Sequence, residues 1–470
     1  MDIFFTEEKL ACRIDALAPW RMRDAIKAHG LRMMECPPEE VNPSPPPMDS
    51  KWTEAVLGQE WSGRDKYLWL TCDLEFPVQW NGRQLVGLFD FGVTGSCSTY
   101  GFEALLYVDG VPFQGVDTHH QEVYFPEHFA GRTVPVVFRL WSGLEGGGVP
   151  RIMTHVFRQA ETAWLDESVD QLYYAGRMIL ETLPLLSDND PVRTALRNAL
   201  NQALLEVDWR DEGSTSFHAS VQTAWGTLDR LLNSMDKQSV VDLVCVGHTH
   251  IDVAWLWRYK HTREKSARSF STVLRLMEQY PEYTFLQSQP QLYEYIKNDF
   301  PEIYEGIRQK IREGRWEVDG GMWIEADCNI PSGESLTRQI LVGTRFTEKE
   351  FGTRMHYLWL PDVFGYSWAL PQILKKSGLD TFITTKISWN ECNQMPHDTF
   401  YWVGIDGTKI LTHFITTPAA SEEQGTWYYT YNGEMVPGAA AGIWNNYRNK
   451  DLTSKLLMAY GYGEDRKSVV

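Results

Sequence analysis

The chain has 470 residues, 43% of them hydrophobic and 23% charged, and its formal net charge at pH 7 is −18. A chain of this length exceeds one ordinary hydrophobic core, so we expect a globular protein of two or three domains. The negative charge argues against nucleic acids and anionic membranes as partners, and no stretch reaches the roughly 20 apolar residues that span a bilayer.

The first 50 residues divide into a segment with a helical pattern, over residues 1–35, and a proline-rich linker, over residues 36–50. Prolines at this density prevent a regular helix or a central strand. The N-terminus lacks the basic start and long apolar run of a secretory signal. The seven cysteines are scattered and contain no Cys-x-x-Cys pair, which is typical of a reducing compartment. We therefore expect a cytoplasmic protein.

Residues 51–155 are predicted to form a β-sandwich domain. Asp109-Gly110 lies between two apolar runs and is a hairpin signal. The domain could act as a scaffold or bind carbohydrate itself. Residues 156–238 carry apolar side chains at helical spacing and are predicted to form a helical connector. Short apolar runs separated by Gly, Asn and Asp turns support the sandwich at 67–72, 84–89, 104–108 and 133–140.

Residues 239–470 alternate between strand and helix patterns, which favours a parallel α/β layer, either a barrel or an open sheet. In both architectures the chemistry belongs at the carboxyl ends of the strands. The predicted strands are 242–246, 284–287, 316–319, 356–360, 380–384 and 409–414. The predicted helices are 263–279, 291–313, 334–350 and 368–377.

The first strand of this region is followed by His248, His250 and Asp252, spaced two residues apart. Side chains at this spacing in an extended segment point the same way. Imidazole nitrogen and carboxylate oxygen together suit zinc or a similar ion. Many His-x-His pairs bind no metal, and metallo-β-lactamases and amidohydrolases also use such pairs, so the triplet does not choose among these classes.

Three other strand ends carry polar or aromatic candidates. Asp362 follows the strand at 356–360 and could be a metal ligand, a nucleophile or both. It could instead cap the next helix, although Ser367 is an equally good cap. The remaining candidates are ligand-contacting residues at the ends of two further strands, namely Trp323, Asp327, Lys386 and Asn390.

Together these segments resemble the family 38 glycoside hydrolases, the class II α-mannosidases, and most closely their cytosolic and bacterial branch. The matching sequence motifs occur in the same order as in the family over about residues 240–413. An upstream motif at 109–117 resembles the N-terminal β-domain of that branch. The motifs are Gly-His-Thr-His-Ile-Asp-Val-Ala-Trp-Leu-Trp (247–257), Gln-Ser-Gln-Pro-Gln-Leu-Tyr-Glu (287–294), Gly-Gly-Met-Trp-Ile-Glu-Ala-Asp (320–327), Ser-Gly-Glu-Ser-Leu-Thr-Arg-Gln (332–339), Leu-Trp-Leu-Pro-Asp-Val-Phe-Gly-Tyr-Ser (358–367), Lys-Ile-Ser-Trp-Asn (386–390) and Gly-Ile-Asp-Gly-Thr-Lys-Ile-Leu-Thr-His (404–413).

The resemblance implies a metal-dependent retaining α-mannosidase with a seven-stranded (β/α) barrel. It implies that His250, Asp252 and Asp362 hold zinc or another divalent cation, that His248 supports them, and that Asp362 is the nucleophile. The general acid would be Glu422 or Glu423. The substrate, a mannose-containing oligosaccharide, would contact Trp255, Trp323, Asp327, Phe364, Lys386 and Asn390.

The chain also departs from the family it resembles. Family members are usually about twice as long, and the run Leu456–Gly463 turns abruptly into Glu464–Val470, so we expect a chain truncated at its C-terminus. A fourth family zinc ligand would then be absent. The alternatives are a weakly active or inactive fragment that binds mannose-like sugars, or one part of a split enzyme completed by a C-terminal chain. A homo-oligomer is a further alternative. A polysaccharide deacetylase is less consistent, because its Asp-Asp and His-x-x-x-His pattern is absent.

Overall fold

The protein is described by a computed structural model, which places residues 6–36, 44–49, 51–92, 102–237, 239–390, 392–419 and 428–461. Its described N-terminal part begins with helix α1 (Thr6–Leu17) and continues in strands. These are β1 (Met22–Lys27), β2 (His29–Cys36), β3 (Thr53–Glu54), β4 (Glu60–Gly63), β5 (Tyr67–Phe76), β6 (Gln84–Asp90), β7 (Glu103–Val108), β8 (Val111–Val116), β9 (Glu122–Phe125), β10 (Arg132–Trp141), β11 (Met153–Val156) and β12 (Gln159–Leu165).

These strands form the predicted β-sandwich. One sheet has the order β1-β12-β6-β9 and the facing sheet β3-β2-β5-β10-β7-β8, with a small β11-β4 pair beside them. Leu70, Phe89 and Phe138 lie in the core between the sheets and are fully buried. Asp109 (φ 52°) and Gly110 (φ 78°) connect β7 to β8 as the predicted hairpin turn.

The helical pattern predicted over residues 1–35 is wrong beyond Leu17. Residues 22–36 form β1 and β2, which pair antiparallel with β12 and β5. The segment is too short and too mixed in polarity for a local pattern to decide its conformation. Pairing with strands distant in sequence decides it instead.

Most of the segment predicted as a helical connector, residues 156–238, is helical, but its first residues belong to strands β11 and β12 of the sandwich. The helical part consists of α2 (Glu167–Thr182), α3 (Pro191–Leu205) and α4 (Thr215–Ser234), and α1 shares their core. Each of the three helices begins at a side-chain cap, provided by Asp166, Asp190 and Ser214. The unit therefore combines the N-terminal helix with the segment between the sandwich and the α/β region.

The C-terminal region is parallel α/β, as predicted. Its elements in chain order are β13 (Asp242–His248), α5 (Tyr259–Gln279), β14 (Phe285–Leu286), α6 (Pro290–Asp299), α7 (Pro301–Arg312), β15 (Trp316–Glu317), α8 (Gly333–Phe351), β16 (Tyr357–Leu360), α9 (Leu370–Lys376), β17 (Thr381–Thr384), β18 (Thr399–Val403), β19 (Lys409–Phe414), α10 (Pro437–Asn446) and β20 (Lys455–Tyr460). The single helix predicted over 291–313 is two helices, because Pro301 has no N–H to continue the first.

The strands of this region form two four-stranded sheets, β20-β13-β14-β15 and β16-β17-β19-β18. All neighbours are parallel except β18, which pairs antiparallel with β19. One bridge, Gly320 to Leu358, links the sheets, and an inner cluster that includes Leu286, Trp359 and Ala459 draws on both. Within the described residues no strand ladder joins β19 to β20, so the predicted seven-stranded barrel is not confirmed.

Helix α5 joins the β-sandwich to the α/β region. Gly115 of β8 lies against it, and the Gly115 N–H donates to Thr272 Oγ1 at 3.1 Å. Glu103 of β7 accepts from both Lys265 and Arg268, and all three side chains are at most 10% exposed. The interface is therefore ionic as well as apolar.

No helix in the described part of the chain combines the length and the hydropathy needed to cross a bilayer.

Candidate functional site

The His-x-His-x-Asp segment lies at the carboxyl end of β13, where it is held by two glutamines. Gln287 donates to the carbonyl of Thr249 at 3.0 Å, and Gln289 donates to the carbonyl of Ile251 at 2.8 Å. All four residues are buried, so these bonds are shielded from water. The loop after β13 is thus fixed before any ligand binds.

His250 is the centre of the site. Its Nδ1 lies 2.6 Å from Glu325 Oε2, and the Glu325 side chain is only 2% exposed. The other Glu325 oxygen accepts from Ser288 Oγ at 2.6 Å. This arrangement directs His250 Nε2 towards the carboxylates of Asp252, at 3.4 Å, and Asp362, at 3.9 Å. His250 Nε2 is buried and makes no hydrogen bond.

The ionisable side chains of this cluster change one another's pKa values. Burial raises the pKa of Glu325, but the neighbouring His250 and His248 outweigh it and lower that pKa to about 2. Burial lowers the pKa of His250, whereas Glu325 and Asp252 raise it well above its ordinary value. The site therefore attracts positive charge at His250.

His248 lies behind His250 and does not face the two aspartates. Its Nε2 accepts from the Trp359 indole N–H at 3.1 Å and lies 3.8 Å from Glu325. Burial lowers the pKa of His248. A buried, neutral imidazole packed against Trp359 fits the supporting role that the resemblance implies.

Asp362 follows β16 and is held through one oxygen. Its Oδ1 accepts from Lys386 Nζ at 2.9 Å and from the Tyr431 hydroxyl at 2.8 Å. Oδ2 is the oxygen that lies 3.9 Å from His250. The side chain is 24% exposed, so a ligand can reach it from solvent. The ring of Tyr431 also packs edge-on against His250, with centroids 5.6 Å apart.

The other predicted ligand-contacting residues have different surroundings. Trp255 and Phe364 are 50% and 78% exposed and can offer ring faces to a ligand. Trp323 donates its indole N–H to Gln291 and packs against Phe346. Asp327 and Asn390 each accept from two backbone N–H groups of the turns that follow them. The structure therefore brings Lys386 to Asp362 and gives Trp323, Asp327 and Asn390 local structural contacts. Glu422 and Glu423 lie outside the described residues.

Glu325 and Tyr431 are site residues that the sequence analysis did not select. Glu325 belongs to the sequence motif at residues 320–327. This motif contains two acidic residues after one strand, and the sequence does not indicate which of them faces the site. Gly320 and Gly321 let this segment pass close to neighbouring strands, because a Cβ would lie 2.4 Å from the Ser288 Cβ or 2.9 Å from the Tyr357 carbonyl oxygen. Tyr431 follows residues 420–427, and no local pattern marks it.

The donor atoms around His250 are of the types that bind divalent metal ions. Across the described part of the chain, no group of three or more His, Cys, Asp or Glu side chains already converges as a metal site. His250 Nε2 nevertheless faces two carboxylates at 3.4 and 3.9 Å. Ligand atoms about 2.1 Å from a tetrahedral ion lie about 3.4 Å apart. His250 Nε2, which is buried and makes no hydrogen bond, thus lies at distances from two carboxylates that are close to those between ligands of one ion.

Comparison with known proteins identifies the class. Residues 240–470 match the glycosyl hydrolases family 38 N-terminal domain, and residues 27–135 match the alpha-mannosidase jelly roll domain. The chain belongs to glycosyl hydrolase family 38, and its β-sandwich is the jelly roll domain found in alpha-mannosidases.

Three relatives are similar over long stretches. The chain is 30% identical to alpha-mannosidase G of Dictyostelium discoideum over 88% of this chain and 37% of that protein. It is 46% identical to alpha-mannosidase of Saccharomyces cerevisiae over 49% of this chain and 20% of that protein. It is 34% identical to alpha-mannosidase 2C1 of Homo sapiens over 74% of this chain and 33% of that protein. The chain thus spans at most about two fifths of these relatives.

Proposed function

We propose that this chain carries the catalytic centre of a retaining α-mannosidase that releases terminal α-D-mannosyl residues from oligosaccharides. The observation that carries the proposal is the Asp362 carboxylate, held by Lys386 and Tyr431 through one oxygen while the other faces His250. The similarity to proteins named alpha-mannosidases supports the substrate class. We also propose that the two parallel sheets belong to one seven-stranded barrel that closes between β19 and β20.

We propose that His250, Asp252 and Asp362 hold zinc. The unpaired His250 Nε2 and the two carboxylates near it supply a donor set of the kind that catalytic zinc uses. When bound, zinc supplies Lewis-acid polarisation of sugar hydroxyls at the reacting end. Glu325 orients His250 from behind, as carboxylates commonly do for histidine ligands.

The reaction follows from the residues. An oxygen of Asp362 attacks the anomeric carbon as the glycosidic C–O bond breaks, and the leaving oxygen takes a proton from a general acid, for which Glu422 or Glu423 remains the proposal. Water then attacks the same carbon, gives a proton back to the conjugate base of that acid, and releases the Asp362 carboxylate. Lys386 and Tyr431 hold Asp362 in position for both steps. The exposed rings of Trp255 and Phe364 stack against the sugar.

The first test measures metal content and turnover together. Purified protein is analysed for metal and assayed for nitrophenol release from 4-nitrophenyl α-D-mannoside, with and without added zinc. We expect close to one zinc per chain and zinc-dependent release. Bound zinc without release would favour the alternative, a sugar-binding part of an enzyme completed by further domains or by a second chain. Absence of both would contradict the proposed centre.

Removing the proposed ligands should remove the metal. We expect the double variant His250→Ala, Asp252→Ala to lose the co-purified zinc, because two of three donors are gone. Asp327→Ala is the control, since the Asp327 carboxylate bonds the backbone of its own turn. Unchanged zinc in the double variant would refute the ligand set.

Glu325→Gln tests the supporting carboxylate. We expect zinc affinity to fall about 10- to 100-fold, because Gln keeps the size of Glu325 but loses the charge that orients and polarises His250. Competition with a chromogenic chelator measures the affinity. Equal affinity in the variant and the wild type would show that Glu325 serves folding alone.

We propose that the protein works in the cytoplasm. Within the part of the chain that the structure describes, Cys12, Cys72, Cys245 and Cys328 form no disulfide. Cysteines that stay reduced are typical of reducing compartments, which supports this location.

A further inference from the structure

A second polar cleft lies where the β-sandwich, the helical connector and α5 meet. It encloses about 820 Å³ and is far larger than one water molecule. Its walls come from β9, from α2 and from the C-terminal end of α5. None of the residues that hold Asp362 or His250 lines it, so the cleft is separate from the proposed catalytic centre.

The ion pairs described at this cleft place two guanidinium groups among three carboxylates. Arg21 bonds Glu122 at 3.0 Å and Asp170 at 2.7 Å. Arg275 of α5 bonds Glu278 at 2.6 Å. This excess of carboxylates and the net charge of −18 both disfavour an anionic ligand. A neutral ligand is not repelled by either.

Two tyrosines give the cleft exposed ring faces. Tyr174 of α2 is 44% exposed, and Tyr280 at the end of α5 is 43% exposed. The Arg21 guanidinium lies 4.8 Å from the centre of the Tyr174 ring and contacts one face of that ring. Half-exposed tyrosine rings combine an apolar face with a polar hydroxyl, which suits the apolar face and the hydroxyls of a sugar.

The rest of the wall supplies hydrogen-bonding groups. Gln114, Gln121 and Gln279 line the cleft, and amides can both donate and accept. Strand β9 is the edge strand of its sheet, so one side of its backbone is not paired with a strand. Gln114 occupies one of those backbone groups, the Glu122 carbonyl, at 3.2 Å. Mixed donors and acceptors beside aromatic faces match a polyhydroxylated ligand.

We propose that this cleft is a second, non-catalytic binding site for a neutral oligosaccharide. This proposal goes beyond the proposed hydrolysis, because the cleft would hold a sugar chain on the jelly roll side of the molecule. Its occupancy does not depend on Asp362, on a metal or on turnover.

The test is a titration of the Asp362→Asn protein with an α-linked mannotetraose, by calorimetry and by saturation-transfer NMR. We expect binding at a site that survives chelation of metal, with affinity lowered about tenfold or more by Tyr174→Ala and Tyr280→Ala together. Tyr401→Ala is the matched control, because Tyr401 is 66% exposed on β18 and lies outside the cleft.

Three results would overturn the proposal. They are no binding at millimolar sugar, equal affinity in the double tyrosine variant, or tighter binding of a sulfated tetrasaccharide than of the neutral one. Hydrolysis of 4-nitrophenyl α-D-mannoside by the double tyrosine variant of the otherwise native chain is measured separately. Failure of the native chain to hydrolyse this substrate, while the Asp362→Asn protein still binds the tetraose in the cleft, would concern the proposed catalytic function and not the second site.

Discussion

The Asp362→Asn variant is expected to lose turnover by on the order of 10⁴-fold or more, the scale seen when a covalent nucleophile is removed. The change keeps the shape of the side chain and its contacts through Oδ1 to Lys386 and Tyr431. It removes the carboxylate that would attack the anomeric carbon. A ring-fluorinated mannoside with an activated leaving group should label the wild type by one fluoromannosyl mass and leave the Asp362→Asn protein unlabelled in intact-protein mass spectrometry.

Tyr431→Phe is the matched control for this prediction. It removes one hydrogen bond to Asp362 and leaves the carboxylate, so labelling should slow without being lost. Full labelling of the Asp362→Asn protein would show that another residue is the nucleophile. Equal loss in both variants would show that the local fold is damaged, and circular dichroism of each variant detects that.

The local sequence predicted those elements whose signals are local. Strand β19 was predicted with its observed bounds, because apolar and polar residues alternate after the Asp406-Gly407 turn. The segment of β1 and β2 was mistaken for helix, because pairing with β12 and β5 overrides a weak pattern. β18, α10 and β20 were not predicted, and β20 is held by pairing with β13.

The residues of the candidate site also differ in whether a local signal predicts them. His250, Asp252 and Asp362 follow strands that parallel packing brings to one edge, so strand ends predicted that they meet. Lys386 bonds Asp362 at the same edge, while its predicted contact with the substrate stays a prediction. Asp327 and Asn390 instead bond the backbone of their own turns, a local competition that the spacing of motifs does not reveal. Glu325 reaches His250 only through the three-dimensional path of its loop.

The proposed metal loop is tied to the β-sandwich through α5. At the start of this helix, Thr262 donates to the carbonyl of Asp252 at 2.9 Å and accepts from the Trp257 indole at 3.0 Å. One turn later, Lys265 and Arg268 bond Glu103 of β7. The β-sandwich therefore holds α5 in place, and α5 in turn holds the backbone of Asp252. Because of this connection, we expect substitution of the buried Glu103 to affect the loop that carries Asp252.

Glu103→Gln is expected to destabilise the interface by about 3–5 kcal/mol, because it removes the carboxylate that both buried cations bond. Lys265 is 1% exposed and Arg268 10% exposed, so water cannot replace Glu103. Hydrogen exchange of peptides from α5 measures the local opening free energy, which suits a chain of several domains better than one global unfolding curve. Exchange should also rise over the loop that carries Asp252.

Two comparisons make this last prediction decisive. Glu75→Gln changes an exposed glutamate on strand β5 of the same sheet and should leave exchange in α5 unchanged. The triple variant Glu103→Leu, Lys265→Met, Arg268→Leu removes all three charges, so it should recover most of the lost stability. Protection of α5 that is unchanged in Glu103→Gln would show that the apolar cluster shared by β7 and α5, which includes Leu105 and Phe270, holds the two domains together without the buried charges.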